Sequence, residues 1–335
     1  MLSTKSAFSR FDENLNLDIK ERLSAQNRHV KITDRLTALG LAASTFLQGS
    51  FARKTMLKPL KDVDMVIVMH TDLQADLRRP GGPAHAMSLI QEAVSELFPT
   101  AEFDVDDKPA HALQVTFTDL GFTFDLVPAL ADPDPDSEIV HIADRENDTW
   151  EWSNTRTLNR VISARNQATG GRFVHQVRML KSYKKDHPVL DDTCGLLWEA
   201  FAHDAVTAQV EDARALADTL AYAAQAVLGP VYDPTGIDDL TVDWTGIERS
   251  SYAAVLSTAA RRAAEARRLE QDGDHPAAIE IWHALIGDPF PQAEAQSAAD
   301  ALRALAAGSI TSAGRAVSSR RAQQPARPAR SWRTR

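Results

Sequence analysis

Two carboxylates stand one residue apart at the head of an apolar run: Asp62 and Asp64 precede the segment Met65 to Met69. On a β-strand, side chains at positions i and i+2 project from the same face of the sheet. Two carboxylates on one face repel each other at neutral pH unless a cation lies between them. Such oxygen ligands suit Mg²⁺, which takes its remaining ligands from water and substrate phosphates. The pattern predicts a metal site at the start of a buried strand.

A third carboxylate, Asp125, lies in a second strand-like run from Phe122 to Val127. Phe124 and Leu126 are expected to point into the core, which leaves Asp125 on the opposite face. If the two strands are adjacent, Asp125 lies beside the first two carboxylates. Three carboxylates can hold two metal ions about 4 Å apart, one activating an attacking hydroxyl and one stabilising a leaving pyrophosphate.

The pair Gly49-Ser50 precedes the acidic strand. A glycine lets the backbone approach a phosphate closely, and a serine hydroxyl beside a helix N-terminus offers hydrogen-bond donors. Taken singly, a Gly-Ser turn, an Asp-x-Asp or a strand aspartate is commonplace and usually solvated. In this order they predict a phosphate held next to bound metal ions, as phosphoryl transfer requires.

The elements that must position these residues form an α/β part followed by a helical part, so the predicted fold class is α+β. Periodicity predicts a helix from residue 15 to about 40, stopped by Gly40, and another over 84–97. A short apolar run lies at 44–47, and strands are predicted at 62–69, 113–118 and 122–127, the last two as a hairpin. Beyond Pro135, strand-like runs become rare and alanine-rich helices dominate. These helices are predicted at about 154–167, 171–186, 194–208, 209–228, 249–271 and 276–286.

Charge and composition limit the classes of partner. The formal net charge is −9, although residues 309–335 contain seven arginines and no acidic residue. The rest of the chain is therefore strongly acidic, which disfavours non-specific binding to nucleic acid and favours small nucleotides delivered as metal complexes. The arginine-rich tail is expected to be disordered; it contacts a partner or nucleic acid, or it has no function.

The sequence offers no sign of a membrane protein. No stretch approaches the roughly 18 apolar residues of a membrane span. The first residues lack the pattern of a signal peptide. The single cysteine, Cys194, excludes an internal disulfide and argues against a thiolate metal site. A cytoplasmic protein with no membrane partner is predicted.

Several motifs together resemble a known family. The runs Gly49-Ser50-x-Ala52-Arg53-x-Thr55 and Pro59-Leu60-Lys61-Asp62-Val63-Asp64 resemble the signature of the bacterial cGAS/DncV-like nucleotidyltransferases, or CD-NTases, which carry a SMODS domain. The run from Asp125 to Pro128 resembles their third metal ligand. Residues 177–183 are similar to their lysine-bearing helix, and residues 273–291 to their closing segment.

The resemblance implies a fold and a domain organisation. The fold is a polymerase-β-like palm with a mixed sheet, followed by a C-terminal helical lobe like that of oligoadenylate synthetase. The palm, with its long N-terminal helix, is assigned to residues 1–155, the helical lobe to 156–308, and the basic tail to 309–335.

The resemblance also implies an activity. Nucleoside triphosphates would be condensed into a cyclic di- or trinucleotide with release of pyrophosphate. The product would be an antiphage signal of the CBASS type, sensed by a separate effector protein, and a regulatory partner is possible. Asp62, Asp64 and Asp125 would be the catalytic carboxylates and the ligands of two Mg²⁺ ions, for which Mn²⁺ can substitute.

Nucleotide binding is assigned to three residues. Gly49 and Ser50 would hold the donor triphosphate. The helix over 172–185 carries Arg178, Lys181 and Lys185 beside its apolar face. From the residues alone, this basic stripe is either a solvated face or a triphosphate clamp. The resemblance singles out Lys181.

One departure from the family pattern lies at Gly195, where CD-NTases often place a serine that contacts the triphosphate. Two other functions compete with cyclic nucleotide synthesis. The chain could transfer a nucleotide to a protein, a small molecule or an RNA end. It could also be a catalytically silent scaffold that binds a nucleotide. Consumption of nucleoside triphosphates without any added acceptor discriminates between these functions.

Overall fold

The computed structural model describes residues 2–104 and 110–293. Its strands are β1 (Ala42–Leu47), β2 (Asp62–Met69), β3 (Ala101–Phe103), β4 (Leu113–Phe117), β5 (Thr123–Ala131), β6 (Val140–Asp144) and β7 (Thr149–Ser153). Its first helices are α1 (Thr4–Leu15), α2 (Ile19–Ala38), α3 (Gly49–Arg53), α4 (Thr71–Leu77) and α5 (Gly82–Leu97). The helices after the sheet are α6 (Thr155–Ala168), α7 (Phe173–Lys185), α8 (Gly195–Ala205), α9 (Asp212–Ala226), α10 (Gly246–Gln271) and α11 (His275–Ile286).

The strands form one mixed sheet, in the order β1-β2-β5-β4-β3, with β6 paired to β5 and β7 paired to β6. Strands β2 and β5 run parallel, and the other pairs are antiparallel. The α+β class with a mixed sheet is therefore confirmed. The parallel pairing of β2 with β5 matters most, because it joins the two strands that carry the aspartates.

Alternation along β2 and β5 separates a core face from a polar face. Val63, Met65 and Ile67 are fully buried on one side, in the same apolar cluster as Phe124 and Leu126. This cluster also includes side chains of α2 and α5, which cover that side of the sheet. The intervening residues of β2 and β5 project from the opposite side. A rigid, fully packed layer therefore lies directly behind the carboxylates.

The helices α7–α11 pack around a second apolar core, and the N-terminal helix α1 packs with them. Phe8 of α1 makes edge-to-face contacts with Trp282 and Phe290, with ring centroids 5.1 and 4.9 Å apart. Phe11 of the same helix lies 5.4 Å from Phe290. The two ends of the described chain therefore meet in one aromatic cluster.

The structure differs from the sequence-based expectation at the N-terminus. The helix predicted from residue 15 starts only at Ile19, because Asn16 and Asp18 have extended backbone conformations. The preceding helix α1 was not predicted. Its buried residues Ala7, Phe8, Phe11 and Leu15 have helical spacing, but the segment is short and its partners lie far away in sequence.

Strands β6 and β7 were also not predicted, since strand-like runs were expected to become rare beyond Pro135. Both strands are five residues long, and β7 has no buried residue. Their pairing is set by backbone hydrogen bonds at the margin of the sheet rather than by an apolar alternation. The last strand ends at Ser153, and α6 begins at Thr155.

The predicted basic tail, 309–335, and the last part of the predicted helical lobe, 294–308, lie outside the described residues. Within the described ranges, none of the helices has both the length and the apolar character needed to cross a membrane.

The aromatic cluster generates a stability prediction. Phe8→Ala is expected to lower the free energy of unfolding by about 3–5 kcal/mol, because it removes a buried ring and leaves a cavity. Urea denaturation followed by tryptophan fluorescence measures the change. The exposed side chain of Ile247 provides the control: Ile247→Ala should change the free energy by less than about 0.5 kcal/mol. Equal effects of the two substitutions would contradict the packing of α1.

Candidate active site

Asp62, Asp64 and Asp125 converge on the polar face of the sheet. Each offers a carboxylate oxygen, and these oxygens lie within 4.8 Å of one another. The convergence follows from strand register, because Asp64 is paired directly with Asp125 across the parallel β2–β5 pair, and Asp62 with Thr123. The structure thus brings together the three carboxylates that the sequence predicted to be metal ligands.

The surroundings raise the pKa of two of the three carboxylates, Asp64 and Asp125. Burial, followed by the charges of Asp62 and Asp125, raises the pKa of Asp64 to about 6, although Arg53 opposes the shift. Burial also raises the pKa of Asp125, with a further contribution from Asp62, while a hydrogen bond from Gln114 opposes it. A divalent cation between the oxygens would relieve this repulsion. Three half-buried or exposed carboxylates at this spacing fit hard cations such as Mg²⁺.

Two neighbouring residues hold the site together, one through a carboxylate and one through the backbone. The Gln114 side chain on β4 donates a hydrogen bond to Asp125, with Nε2 and Oδ1 2.9 Å apart. The backbone N–H of Gln48 donates to the backbone carbonyl of Asp64 at 2.9 Å, which ties the segment before α3 to β2. Gln114 was not recognised from the sequence, since its role depends on the β4–β5 register.

Only glycine fits at position 49, because the Asp64 side chain packs directly against its backbone. Gly49 has a positive φ of 67°, and a Cβ atom built on it would lie only 1.8 Å from Oδ2 of Asp64. The Asp64 carboxylate therefore occupies the space in which any other residue would place its side chain. The Gly-Ser turn and the carboxylates predicted from the sequence form one packed unit.

A cleft of about 410 Å³ adjoins this unit. Ser50 and Asp62 lie on the sheet side, and Lys181 and Gly195 on the side of the helical lobe. We call it the lysine-lined cleft, because five lysines contribute to its lining. They are Lys58, Lys61, Lys181, Lys184 and Lys185.

Lys181 is held at the wall of this cleft. Its Nζ donates to Oε1 of Glu199 at 2.7 Å and to Oγ1 of Thr55 at 3.1 Å. Glu199 was not identified from the sequence, although an acidic residue among Leu197, Trp198, Ala200 and Phe201 was a usable signal. A carboxylate in such an apolar helix needs a buried cationic partner.

The neighbouring basic residues differ from Lys181. Arg178 is buried and donates to the backbone carbonyl of Lys54 at 2.9 Å and to Asp12 at 3.0 Å, so its role is structural. Lys185 lines the cleft. At Gly195, a built Cβ atom would lie 3.4 Å from Cε of Lys181, so the position at which the resemblance led us to expect a serine lies directly beside Lys181.

A second group of potential metal ligands consists of His111, Asp144 and Glu151. The Asp144 carboxylate accepts hydrogen bonds from the backbone of Glu146 and from the backbone and side chain of Asn147. It therefore stabilises a turn between β6 and β7, and no bound cation is needed to explain it.

Comparison with known proteins gives the family. Residues 2–166 match the model of the Second Messenger Oligonucleotide or Dinucleotide Synthetase domain, SMODS. The chain therefore carries a SMODS domain, the domain of the CD-NTases. A probable cyclic nucleotide synthase of Bacillus cereus (strain VD146) is 22% identical over 340 residues, which cover 87% of this chain and 99% of that protein.

Solved structures of CD-NTases share the fold. CdnC of E. coli MS115-1, solved with ATP, superposes with a TM-score of 0.67 and 19% identity over 87% of this chain and 99% of its own. CdnC was also solved in a complex with HORMA-deltaN, again with a TM-score of 0.67, at 17% identity over 85% of this chain and 97% of its own. CdnG of Bradyrhizobium diazoefficiens, solved with GTP, gives a TM-score of 0.64 at 15% identity, covering 84% and 95% of the two chains. The polymerase-β-like fold is thereby confirmed.

This protein should respond to pH through Asp64 when metal is absent. Because the folded-state pKa of about 6 lies above the ordinary 3.8, the repulsion disappears as the pH falls through 6. Asp64→Asn should stabilise the metal-free protein at pH 7.5, by at most roughly 3 kcal/mol, and the gain should shrink at pH 5. Urea midpoints in EDTA at the two pH values measure this.

With Mg²⁺ added, the wild type should become more stable than Asp64→Asn, because the wild type binds the ion more tightly and is stabilised more by it. Asp136→Asn, at an exposed position, is the control and should be neutral throughout. A pH-independent difference between the Asp64 variant and wild type would contradict the raised pKa that burial and the neighbouring carboxylates give Asp64.

The packing at Gly49 gives a second test. Gly49→Ala and Gly40→Ala both place a side chain at a φ close to +68°, which costs about 1–2 kcal/mol of stability. Only at position 49 does the new methyl collide with Asp64; at Gly40 nothing lies within 4 Å. Calorimetric titration with Mn²⁺ should therefore show lost or strongly weakened binding for Gly49→Ala alone. Equal affinities of the two variants would exclude the proposed packing.

Proposed function

We propose that this chain is a metal-dependent nucleotidyltransferase that condenses nucleoside triphosphates into a cyclic di- or trinucleotide and releases pyrophosphate. The product would serve as a second messenger in antiphage defence of the CBASS type and would be sensed by a separate effector. The observation that carries the proposal is the juxtaposition of three converging carboxylates with a cleft lined by five lysines. A polyphosphate chelated by divalent cations matches both halves of this surface.

Asp62, Asp64 and Asp125 are the proposed ligands of two Mg²⁺ ions. When bound, such ions lower the pKa of an attacking hydroxyl and neutralise charge on the leaving pyrophosphate. The protein fixes the positions of the carboxylates that would bind the ions. Asp64 is wedged against Gly49, and Asp125 is oriented by Gln114, so the carboxylates are preorganised before any ligand arrives.

The lysine-lined cleft is the proposed site of the donor triphosphate. Ser50 would donate its hydroxyl, and Gly49 would allow the backbone to approach. Lys181 would supply positive charge from the opposite wall, where Lys184 and Lys185 also line the cleft. In phosphoryl transfer, most of the catalysis comes from such positioning and charge neutralisation.

The relatives support nucleoside triphosphates as substrates, because CdnC and CdnG were solved with ATP and GTP. The complex of CdnC with HORMA-deltaN supports the further proposal that a regulatory protein binds this chain. We also propose that the protein acts in the cytoplasm, where both its substrates and such a partner would be available.

The decisive experiment is incubation of the purified full-length protein with labelled ribonucleoside triphosphates and Mg²⁺ or Mn²⁺. The wild type should form phosphatase-resistant products, which mass spectrometry can identify as cyclic. Asp125→Asn should lower the rate by about 100-fold or more, the usual effect of removing a group that stabilises developing charge. Asp136→Asn should be fully active.

Other outcomes discriminate between functions. Labelling of the protein itself or of added RNA, without resistant small products, would favour transfer to another acceptor. Binding of nucleotide without turnover under both metals, with and without a candidate regulatory protein, would favour a silent scaffold. Either result would contradict the proposed cyclic nucleotide synthesis.

A further inference from the structure

Glu199 occupies the centre of a buried ionic network behind the lysine-lined cleft. It lies on α8 and is completely buried. Its Oε2 accepts a hydrogen bond from Nε of Arg53 at 2.7 Å, and its Oε1 accepts from Nζ of Lys181 at 2.7 Å. Thr55 also donates its hydroxyl to Oε1 at 2.7 Å.

This single carboxylate serves two cations. Among the described residues, Glu199 is the only acidic side chain within ion-pair distance of Arg53 or of Lys181. The side chains of Arg53 and Lys181 are only 8% and 10% exposed. Buried charges are strongly destabilising when they lose their partner. When both cations are protonated, they outnumber the single carboxylate of the network by one charge, and Arg53 also attracts the nearby Asp64.

The network also joins three elements that frame the cleft. Arg53 ends α3, the short helix that Gly49 and Ser50 begin. Lys181 belongs to α7, and Glu199 to α8. Hydrogen bonds to Glu199 thus fix the distance between the Gly-Ser turn on one wall of the cleft and the lysine on the other.

We propose that Glu199 is a positioning residue for the triphosphate: it holds the Lys181 ammonium at the wall of the lysine-lined cleft and in register with the Gly49-Ser50 turn. This inference rests on the proposed function only in assigning the triphosphate to that cleft. Glu199 itself does not line the cleft, so it acts through Lys181 and Arg53.

The charge state of Lys181 depends on this arrangement. Burial lowers the pKa of Lys181, the Arg53 charge lowers it further, and Glu199 raises it, with a smaller contribution in the same direction from Cys194. The other charged residues that line the cleft are Lys58, Lys61, Lys184, Lys185, Asp62 and Asp191. Although burial raises the pKa of Glu199, Lys181 and Arg53 lower it to about 2, so the carboxylate is ionised at every relevant pH. Without that carboxylate, Lys181 would lose its proton at a lower pH.

The test uses inorganic tripolyphosphate with Mg²⁺, a probe that needs neither a particular base nor turnover. Isothermal titration calorimetry on the full chain should show that Glu199→Gln weakens binding by about tenfold or more at pH 8.5, as expected for losing a charge-assisted contact. The loss should be smaller at pH 6.5 than at pH 8.5, because a lower pH favours the charged form of Lys181. Lys181→Met should be weak at both pH values. Glu265→Gln, at an exposed position of α10, should behave as wild type.

A double-mutant cycle between Glu199 and Lys181 distinguishes a positioning role of Glu199 from an effect on the stability of the fold alone. In the Lys181→Met background, Glu199→Gln should weaken binding by less than about twofold, because the group that it positions is gone. Glu199→Asp keeps the charge but shortens the side chain. If Glu199→Gln does not fold, Glu199→Asp takes its place in the cycle. We expect it to cause an intermediate loss of tripolyphosphate affinity, and this loss should also disappear in the Lys181→Met background.

Two results would overturn the inference. One is wild-type affinity of a Glu199 variant at both pH values. The other is an undiminished loss of affinity in the Lys181→Met background. The wild-type reaction with nucleoside triphosphates is a separate measurement, so a failure of the proposed synthase activity is distinguishable from a failure of the role of Glu199.

Discussion

The mutual repulsion of three carboxylates is the constraint around which this structure is organised. Asp62, Asp64 and Asp125 lie within 4.8 Å of one another, and partial burial intensifies their repulsion. Freely exposed aspartates would turn away from one another into water. Here Asp64 is packed against Gly49, and Asp125 accepts a hydrogen bond from Gln114, so these two side chains are held in place. The apolar side chains behind them anchor both strands in the core. The fold therefore stores an unfavourable electrostatic arrangement that a chelated cation would relieve.

The carboxylate site adjoins the lysine-lined cleft, and their charges come largely from different parts of the chain. The sheet supplies the carboxylates, whereas α7 supplies most of the cationic wall. A lone buried lysine would lose its proton, and a lone buried glutamate would gain one. Pairing Lys181 with Glu199 avoids both, and Arg53 makes the balance positive rather than neutral. Lys181 is thereby held in a buried setting, whereas Lys185 on the same cleft is exposed and its charge is more strongly screened by salt.

The sequence predicted those features of the fold and site that depend on neighbouring residues, and it missed those that depend on contacts between distant segments. Alternation within β2 and β5 identified the faces on which Asp64 and Asp125 lie, because strand periodicity is a local property. The position of α1 was not predictable in that way, since Phe8 is buried only by residues near the other end of the described chain. Glu199 was missed for a similar reason: its partners come from α3 and α7, and helical periodicity gives no information about them. Family resemblance identified Lys181 but not what holds it.

The same reasoning bears on whether the palm is catalytic or a silent scaffold. A scaffold that only binds a metal–nucleotide complex would also use the lysine-lined cleft and the buried Lys181–Glu199 pair, so the distinction depends on the carboxylates. Loss of function would remove the advantage of keeping Asp64 in its raised-pKa environment, and a substitution to asparagine would then stabilise the fold. The chain has all three carboxylates, and Gly49 and Gln114 hold two of them in place. Raised pKa values at Asp64 and Asp125 are typical of catalytic sites, which favours turnover over binding alone.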